Sequence, residues 1–246
     1  MIIGSSLRHY EKVSSTNTVA AALLRESNPP EGTVITASFQ ESGRGQAGNS
    51  WESEPGSNLL MSIILYPDMV KPAEQFVISQ MVSLAVRDLV ALHTAESRIK
   101  WPNDIYVRDD KIAGILIENT IMGDTLGSTV AGIGLNVNQT VFRSGAPNPV
   151  SLAAVTGSKQ NLKALTGKLV SLLDKRYSML IRGETATLGK DYHEVLYRSG
   201  EWHRYADNKG EFEGMIEHVR PDGMLVMLRK EGKRVMYAFK EIDYIL

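Results

Sequence analysis

Three strand-like segments follow one another between residues 98 and 139, and only short turns separate them. The segments read RIKWPNDIYV, KIAGILIENTIM and TVAGIGLNVNQ. The turn RDD at 108–110 joins the first to the second, and GDTLGS links the second to the third in the manner of a hairpin. Connections this short favour antiparallel neighbours, because a parallel pair needs a long crossover. The run therefore predicts the centre of a mostly antiparallel sheet.

Further strands and helices surround this run. Strand patterns occur in GTVITASFQ and NLLMSIILYP, and the strongest helical periodicity lies in AEQFVISQMVSLAVRDLVALH. Helices are also expected in VSSTNTVAAALLRES, which Ser15 or Thr16 can cap, and around 161–182 and 187–198. FRSGAPNPV is expected to form a loop, and Ser151 to cap the short helix SLAAVTG.

The pattern changes after Gly200. Residues 201–246 alternate in short runs that DNKG, PDG and KEGK interrupt, which is typical of a five-stranded barrel or meander. The predicted fold class is therefore α+β. A mixed, mostly antiparallel sheet with packed helices is expected in residues 1–199, and a small all-β domain in 200–246.

Composition restricts the classes of function that this chain can have. The 246 residues include 27 Lys+Arg and 28 Asp+Glu, a net charge of −1, so no global basic field attracts nucleic acid. Cysteine is absent, which excludes disulfides, thiolate zinc sites and cysteine nucleophiles. The start MIIGSSLRHYEKV lacks the pattern of a signal peptide, and no stretch approaches the roughly 18 apolar residues of a membrane span. We expect a cytoplasmic protein without membrane segments.

The stretch FQESGRGQAGNSW, residues 39–51, contains the spacing G-x-G-x-x-G of a loop that approaches a phosphate. A strand pattern follows it instead of a helix, which excludes a dinucleotide-binding βαβ unit. The G-K-[ST] of a P-loop is missing, as are the H-R-D and D-F-G companions of a protein-kinase loop. The guanidinium of Arg44 is suited to form two parallel hydrogen bonds with a carboxylate or phosphate. Trp51 either stacks on a ring or anchors the loop.

Three other polar clusters lie at the ends of predicted elements, where sites are usually built. SSTN offers hydroxyl and amide groups at a helix start, although ordinary capping also explains them. KWPND makes a polar turn around a Trp-Pro pair, and Lys111 opens the apolar strand that follows. GIGLNVN is expected to point Asn136 and Asn138 to one face of a strand.

Together these stretches resemble the motifs of biotin–protein ligases, also called biotin–[acetyl-CoA-carboxylase] ligases. SSTN, Q-x-x-G-R-G-x-x-G-x-x-W, KWPND with KIAGIL-x-E, and GIGLNVN occur in the family's order and spacing, covering residues 8–157, with a weaker echo in FKEI. The resemblance implies a catalytic domain like that of class II aminoacyl-tRNA synthetases and biotin–lipoate ligases, followed by an SH3-like β-barrel. It also implies a reaction with ATP and Mg²⁺, in which the biotin carboxylate attacks the α-phosphate and biotinyl-5′-AMP then acylates a lysine of a biotin carboxyl carrier protein.

The resemblance also assigns roles to residues. Biotin would be bound by Ser15, Thr16, Asn17, Gln40, Gly43, Arg44, Gly45, Gln46, Lys111 and Gly114. ATP would be bound by Trp51, Asn103, Asn136 and Asn138, and catalysis would fall to Lys111, Arg44 and Asp104, with no metal ligand assigned. The chemistry agrees, because the neutral ureido ring of biotin suits hydroxyl and amide groups, whereas joining two anions needs cations. Asp104 is the candidate that orients or deprotonates the carrier lysine.

Two alternatives stay open. A lipoate–protein ligase shares the fold and the adenylation chemistry, although its arginine-rich, G-G-G-containing signature is missing from this sequence. A non-catalytic biotin-binding or biotin-sensing protein would need only the pocket. SSTN begins at residue 14, which leaves no room for the winged helix-turn-helix of repressor forms, so no direct DNA binding is expected. Family members include monomers and dimers, so a homodimer is also open.

Overall fold

The computed structural model describes residues 1–144 and 147–245 and contains a seven-stranded sheet as its largest element. Its strands are β1 (Leu7–Val13), β2 (Val34–Gln40), β3 (Leu59–Leu65), β4 (Ser97–Lys100), β5 (Asp104–Val107), β6 (Asp110–Met122) and β7 (Thr125–Leu135). They are ordered β1-β2-β3-β7-β6-β5-β4. The edge strand β1 pairs in parallel with β2, and the remaining pairs are antiparallel. The expected mixed, mostly antiparallel sheet is confirmed.

Helices cover the two faces of this sheet unequally. They are α1 (Thr16–Glu26), α2 (Phe76–Ala91), α3 (Leu152–Thr156), α4 (Leu162–Ile181) and α5 (Thr185–Glu194). Helix α2 packs against α4 and α5 and, with them, buries the main apolar core on one face. Helix α1 packs alone against β2, β3 and β7 on the other face, over a small core that includes Ala20 and Ile35. The part of this second face beyond α1 is left open.

Side-chain alternation along β7 shows how the two faces differ. Ala131, Ile133 and Leu135 are buried in the main core. Gly132 and Gly134 point to the opposite face, because successive residues of a strand alternate between the two sides. This part of β7 therefore has apolar side chains on the core face and only glycines on the opposite face. Next to the start of α1, these glycines leave the backbone of the sheet without side chains; this surface is called the floor below.

The C-terminal residues form a second, antiparallel sheet of five strands, as expected. The strands are β8 (Trp202–Asp207), β9 (Gly210–Val219), β10 (Leu225–Arg229), β11 (Arg234–Tyr237) and β12 (Asp243–Tyr244), ordered β11-β10-β9-β8-β12. Tyr205 and Leu225 belong to the same apolar core as α2, and Trp101 donates from Nε1 to the Gly223 carbonyl at 2.9 Å. The core therefore runs across Gly200, and a domain boundary at that residue stays a prediction.

Several local expectations need correction. The segment RIKWPNDIYV is two strands, β4 and β5, because Trp101-Pro102-Asn103 turns the chain back on itself. Strand β7 ends at Leu135, so the asparagines after it do not lie in a strand. The last helix begins two residues before the predicted 187 and ends four before 198, since Thr185 opens it and Glu194 closes it.

The capping predictions gave mixed results. Ser151 accepts a hydrogen bond from the Ala154 N–H at 3.3 Å and caps α3 as expected. Ser15 occupies the position before α1, but its side chain makes no capping bond. The predicted loop 142–150 includes residues 145 and 146, which lie outside the described residues. No helix within the described part of the chain is long and apolar enough to cross a bilayer.

Candidate active site

A cavity of about 810 Å³ opens on the face of the large sheet that carries α1. The start of α1, the glycine-rich loop 43–51, the β4–β5 turn, the floor strands β6 and β7 and residues 239–244 of the C-terminal sheet contribute to its walls. All of the site residues assigned from the sequence line it except Gly43 and Asn138. Residues that are far apart in the sequence thus meet around one opening.

Glycines form the floor of the cavity. Gly114 of β6 and Gly134 of β7 are register partners, and the indole of Trp51 lies over both. A Cβ atom on Gly134 would lie 2.7 Å from Trp51 Nε1, and one on Gly114 would lie 3.0 Å from Trp51 Cζ3. A Cβ on Gly132 would lie 2.9 Å from Cγ of Asn17. These contacts need glycine, because any side chain would displace the group above it.

The glycine-rich loop folds across the opening as a closed turn. The Trp51 N–H donates to the Gly43 carbonyl at 2.9 Å, and the Gly45 N–H donates to the Asn49 carbonyl at 2.7 Å. A Cβ on Gly43 would overlap the Trp51 carbonyl, so this glycine permits the close approach of two backbones. Gly48 has φ +89°, which glycine adopts without strain. Trp51 is therefore held against the floor by the loop that carries it.

A buried polar network surrounds the start of α1. Gln40 Oε1 accepts from the Thr16 N–H at 2.8 Å and from Thr16 Oγ1 at 3.1 Å. Ser62 Oγ lies 2.7 Å from Thr16 Oγ1 and 2.6 Å from Asn17 Oδ1. Ser15 is buried beside this network on the cavity wall. The hydroxyl and amide groups of SSTN are thus organised around a site as well as around a helix start.

Each of the two cations predicted to act in catalysis is paired with a carboxylate. Arg44 donates to Glu118 at 2.6 Å, and Asn17 Nδ2 donates to the other oxygen of the same carboxylate at 2.8 Å. Lys111 Nζ lies 2.7 Å from Asp104 Oδ1, with side-chain exposures of 33% and 21%. Lys111 Nζ also lies 5.9 Å from the centroid of the Trp51 ring. The positive charges are held at the cavity wall.

Several buried polar atoms in the cavity wall have no hydrogen-bond partner within the described residues. They are Gln46 Oε1, Trp51 Nε1, Asn136 Oδ1 and the Tyr244 hydroxyl. Nearly all buried polar groups in proteins are satisfied, because leaving one unpaired costs about 1–3 kcal/mol. A cluster of them around one cavity indicates a polar ligand that supplies the missing partners.

The three asparagines assigned to the nucleotide have different surroundings. Asn103 is buried on the cavity wall, and its Nδ2 donates to the Ile115 carbonyl. Asn136 donates to the Val150 carbonyl at 3.0 Å and keeps its oxygen free within the described structure. Asn138 instead bonds Gln160 on both sides, accepting from its N–H and donating to its carbonyl. Asn138 therefore holds a neighbouring loop instead of the cavity wall.

Acidic and basic groups further along the wall have shifted pKa values. Hydrogen bonds, the largest from Ser144, lower the pKa of Glu52 against the opposing effect of burial. Burial lowers the pKa of Lys100, and the nearby Asp104 opposes that effect. Burial raises the pKa of Tyr106, whose hydroxyl accepts a hydrogen bond from Lys100 Nζ at 3.1 Å.

Five residues in or beside this site received no role from the sequence: Gly132, Gly134, Ser62, Glu118 and Lys100. Signals for the first three were present, since glycines inside a strand mark close backbone approach and a lone serine in the apolar LLMSIIL is unusual. Glu118 is the last residue of the motif KIAGIL-x-E, but the sequence does not indicate which residues it contacts. Only the fold brings it to Arg44 and Asn17, which lie 74 and 101 positions away in the chain.

This combination of fold and site defines a class of protein. A sequence profile of the Biotin/lipoate A/B protein ligase family matches residues 10–137, more than half of the chain. The chain belongs to that family, and the prediction made from the four motifs is confirmed at this level. The prediction that the chain is an enzyme of the biotin–[acetyl-CoA-carboxylase] ligase kind is likewise confirmed by similar proteins with that description.

Among individual proteins, the chain is similar to the bifunctional ligase/repressor BirA of Bacillus subtilis, at 28% identity over 96% of this chain and 74% of the relative. It is 33% identical to the biotin--[acetyl-CoA-carboxylase] ligase of Mycobacterium tuberculosis over 55% of this chain and 52% of the relative. The solved biotin protein ligase of Aquifex aeolicus in complex with biotin and ATP superimposes with a TM-score of 0.79 at 23% identity, covering 97% and 98% of the two chains. This last likeness confirms the fold class.

Proposed function

We propose that this chain activates biotin with ATP as biotinyl-5′-AMP and transfers the biotinyl group to a lysine of a biotin carboxyl carrier protein. The observation that carries the proposal is the set of buried, unsatisfied polar atoms on one cavity wall, together with two cations and a glycine floor on which Trp51 lies. Relatives described as biotin ligases, and the structure of one with biotin and ATP, support the same reaction.

The biotin ring would bind at the start of α1. The ureido group has two N–H donors and one carbonyl acceptor, and it is neutral. Gln46 Oε1 is a buried acceptor without a donor in the described structure, and Ser15 and Thr16 supply hydroxyls to the same cavity. The indole of Trp51, which lies on Gly114 and Gly134, would provide an apolar surface for the rest of the molecule. A dithiolane ring would leave these polar groups unpaired, which argues against lipoate as the substrate.

The first step would join the biotin carboxylate to the α-phosphate. One carboxylate oxygen forms a bond to phosphorus while the bond to the bridging oxygen breaks, and pyrophosphate leaves with that electron pair. Both reactants are anions, so cations at the point of contact lower the barrier. Lys111 and Arg44 would act at that point, because each can exchange part of its carboxylate contact for a phosphate oxygen.

Mg²⁺ would arrive with the nucleotide. This ion commonly binds phosphate oxygens and water, with one or two carboxylates from the protein. Asp104 and Asp243 supply single carboxylates on the cavity wall, which fits that mode, whereas no three acidic or histidine side chains among the described residues are arranged to hold a metal ion by themselves. The ion would neutralise phosphate charge and leave binding and orientation to the side chains.

The second step would use Asp104 to orient the carrier lysine. The amine attacks the carbonyl carbon of the mixed anhydride, the C–O bond to phosphate breaks, and AMP leaves with the electron pair. A free lysine of pKa about 10.4 must first lose a proton, which costs about 4 kcal/mol at pH ~7.4. Asp104 is already held on the wall by Lys111, so it can accept a hydrogen bond from an amine entering from solvent.

The proposal is tested by incubating the protein with radiolabelled biotin, ATP, Mg²⁺ and a biotin carboxyl carrier domain, followed by gel autoradiography. Label is expected on the carrier, and it should disappear when the acceptor lysine of the carrier is replaced by arginine. Omitting the carrier should leave labelled biotinyl-5′-AMP, which thin-layer chromatography detects. Lipoate in place of biotin should give neither product. Binding of biotin without any adenylate would instead favour a non-catalytic sensor.

A further inference from the structure

Lys100 is a further cation in the cavity wall, and the reaction described so far gives it no role. It ends β4 and lies directly opposite Asp104 in the β4–β5 pair. Ile99 and Ile105, next to these two residues, point into the main core, so Lys100 and Asp104 share the cavity face. The structure therefore positions Lys100 and Lys111 on either side of one carboxylate.

Aromatic rings hold the Lys100 ammonium. Its Nζ lies 4.8 Å from the ring centroid of Tyr106 and 4.7 Å from that of Tyr244, and it donates to the Tyr106 hydroxyl. Ring faces attract a cation but accept none of its hydrogen bonds in the ordinary way. Two of its three N–H donors are thus left for another acceptor. Tyr244 belongs to β12, so the C-terminal sheet helps to aim this group.

The pairing of Lys100 differs from that of Arg44 and Lys111. Arg44 and Lys111 each form an ion pair with a carboxylate, whereas Lys100 forms none within the described residues. The charged and titratable groups that face it are Asp104 and Tyr106 of β5, Lys111 of β6, Arg198 after α5, and Asp243 and Tyr244 of β12. Burial disfavours its charge and lowers its pKa, so an incoming anion gains more here than at an exposed lysine.

We propose that Lys100 binds the β- and γ-phosphates of the nucleotide and holds the pyrophosphate as it leaves. The inference rests on the proposed function for its substrate, but the recognised chemistry is a pyrophosphate group. In the adenylation step, the electron pair of the broken P–O bond goes to the bridging oxygen of this leaving group. Lys100 stabilises that added charge, while Lys111 acts at the α-phosphate.

The test compares three variants with the parent protein. Lys100→Met removes the charge and keeps the length, Lys100→Arg keeps the charge, and Lys163→Met is the matched control on an exposed position of α4. Inorganic pyrophosphate with Mg²⁺ is titrated by calorimetry, and the KM for ATP is measured in pyrophosphate exchange. Losing a charge-assisted bond should weaken pyrophosphate binding and raise the KM about 10- to 100-fold in Lys100→Met. Lys100→Arg should retain much of the affinity, and Lys163→Met should match the parent.

A second measurement needs no substitution, so it does not depend on the folding of a variant. The parent protein is labelled with an amine-reactive reagent, with and without pyrophosphate, and the modified lysines are counted by mass spectrometry. Pyrophosphate should protect Lys100 and leave Lys163 unprotected. Equal labelling of Lys100 in both conditions would overturn the proposal.

The outcomes separate this inference from the proposed function. Biotinylation that proceeds while Lys100→Met keeps the parent's pyrophosphate affinity and KM for ATP would refute the role of Lys100 and leave the ligase intact. A Lys100→Met defect confined to transfer from purified biotinyl-5′-AMP would also refute it. Pyrophosphate binding that depends on Lys100, without any formation of biotinyl-5′-AMP, would support the role of Lys100 and refute the proposed ligase function.

Discussion

Replacing Gly134 by alanine should displace Trp51 and disturb the candidate site without altering any charged group. The new Cβ would lie 2.7 Å from Trp51 Nε1 and 2.9 Å from Trp51 Cδ2. Carbon atoms pack best at about 3.5–4.0 Å, so the indole has to lift by roughly 1 Å. Overpacking of this kind costs about 1–3 kcal/mol of stability. A displacement of about 1 Å near reacting groups typically lowers the rate about 100-fold.

Trp51 cannot easily give way by sliding along the floor. The backbone N–H of Trp51 donates to the Gly43 carbonyl, and the backbones of these two residues already approach as closely as a glycine allows. Gly114 lies under the six-membered ring of the same indole, so a shift along the floor keeps the ring close to the sheet. The clash should therefore be relieved by lifting the ring into the cavity, where it would obstruct a ligand.

The assay for Gly134→Ala combines thermal unfolding with the rate of biotinyl-5′-AMP formation. For a chain of this size, each kcal/mol lowers Tm by about 2–4 °C, so a decrease of roughly 2–12 °C is expected. Gly167→Ala is the matched control, because that glycine lies in α4 with open space around it. The control should gain about 0.5–1 kcal/mol from improved helix propensity and keep its activity.

A double variant decides whether Trp51 causes the effect. Trp51→Ala removes the obstructing ring, so adding Gly134→Ala to it should cost little further stability. The coupling energy between the two substitutions should reach at least about 1 kcal/mol. Additive effects, or a Gly134→Ala protein with the stability and adenylation rate of the parent, would refute the predicted clash between residue 134 and Trp51.

Three further predictions concern single side chains. Lys111→Ala should reduce pyrophosphate release about 100- to 1,000-fold while biotin affinity changes far less, because its charge acts on the attacked phosphate; equal losses would contradict this. Ser62→Ala should cost about 1–3 kcal/mol in urea unfolding, because two buried oxygens at the start of α1 lose the one hydroxyl that lies within hydrogen-bond distance of both; an unchanged midpoint would contradict this. The pKa of Glu52 is lowered, so its contribution to stability is present above its ordinary range near ~4.3 and is lost as the pH falls through the lowered value. The stability difference between the parent and Glu52→Gln should accordingly shrink in acid, and a difference that is constant from neutral pH to pH ~3 would be inconsistent with this.

The sequence was sufficient for those features that depend on local patterns. Period-two and period-3.6 hydrophobicity located the strands around the glycine-rich loop and helix α2, and short turns identified the antiparallel run. The polar motifs also identified the residues that meet in the cavity, apart from Gly43 and Asn138. Local patterns worked because each depends on neighbours within a few positions.

Features that depend on distant partners could not be read in this way. Glu118 joins Arg44 and Asn17 only after β6 is placed beside β7 and α1 covers the sheet. Asn138 looks equivalent to Asn136 in the sequence, but a loop more than twenty residues later uses both sides of its amide. Tyr244 reaches Lys100 across the core that both sheets share. Hydrophobic periodicity contains no information about such pairings.

The bare side of β7 also determines how this strand can tolerate mutation. At Ala131, Ile133 and Leu135, residues that fill similar volumes can replace one another, because core packing depends on total volume. At Gly132 and Gly134, a single added carbon already overlaps the side chain of Asn17 or Trp51, so even alanine is too large. A saturation scan across 131–135 should thus alternate residue by residue between graded tolerance and almost none. Adjacent positions of one strand would show two different mutational regimes, one set by how much space a side chain fills and the other by whether any side chain is present.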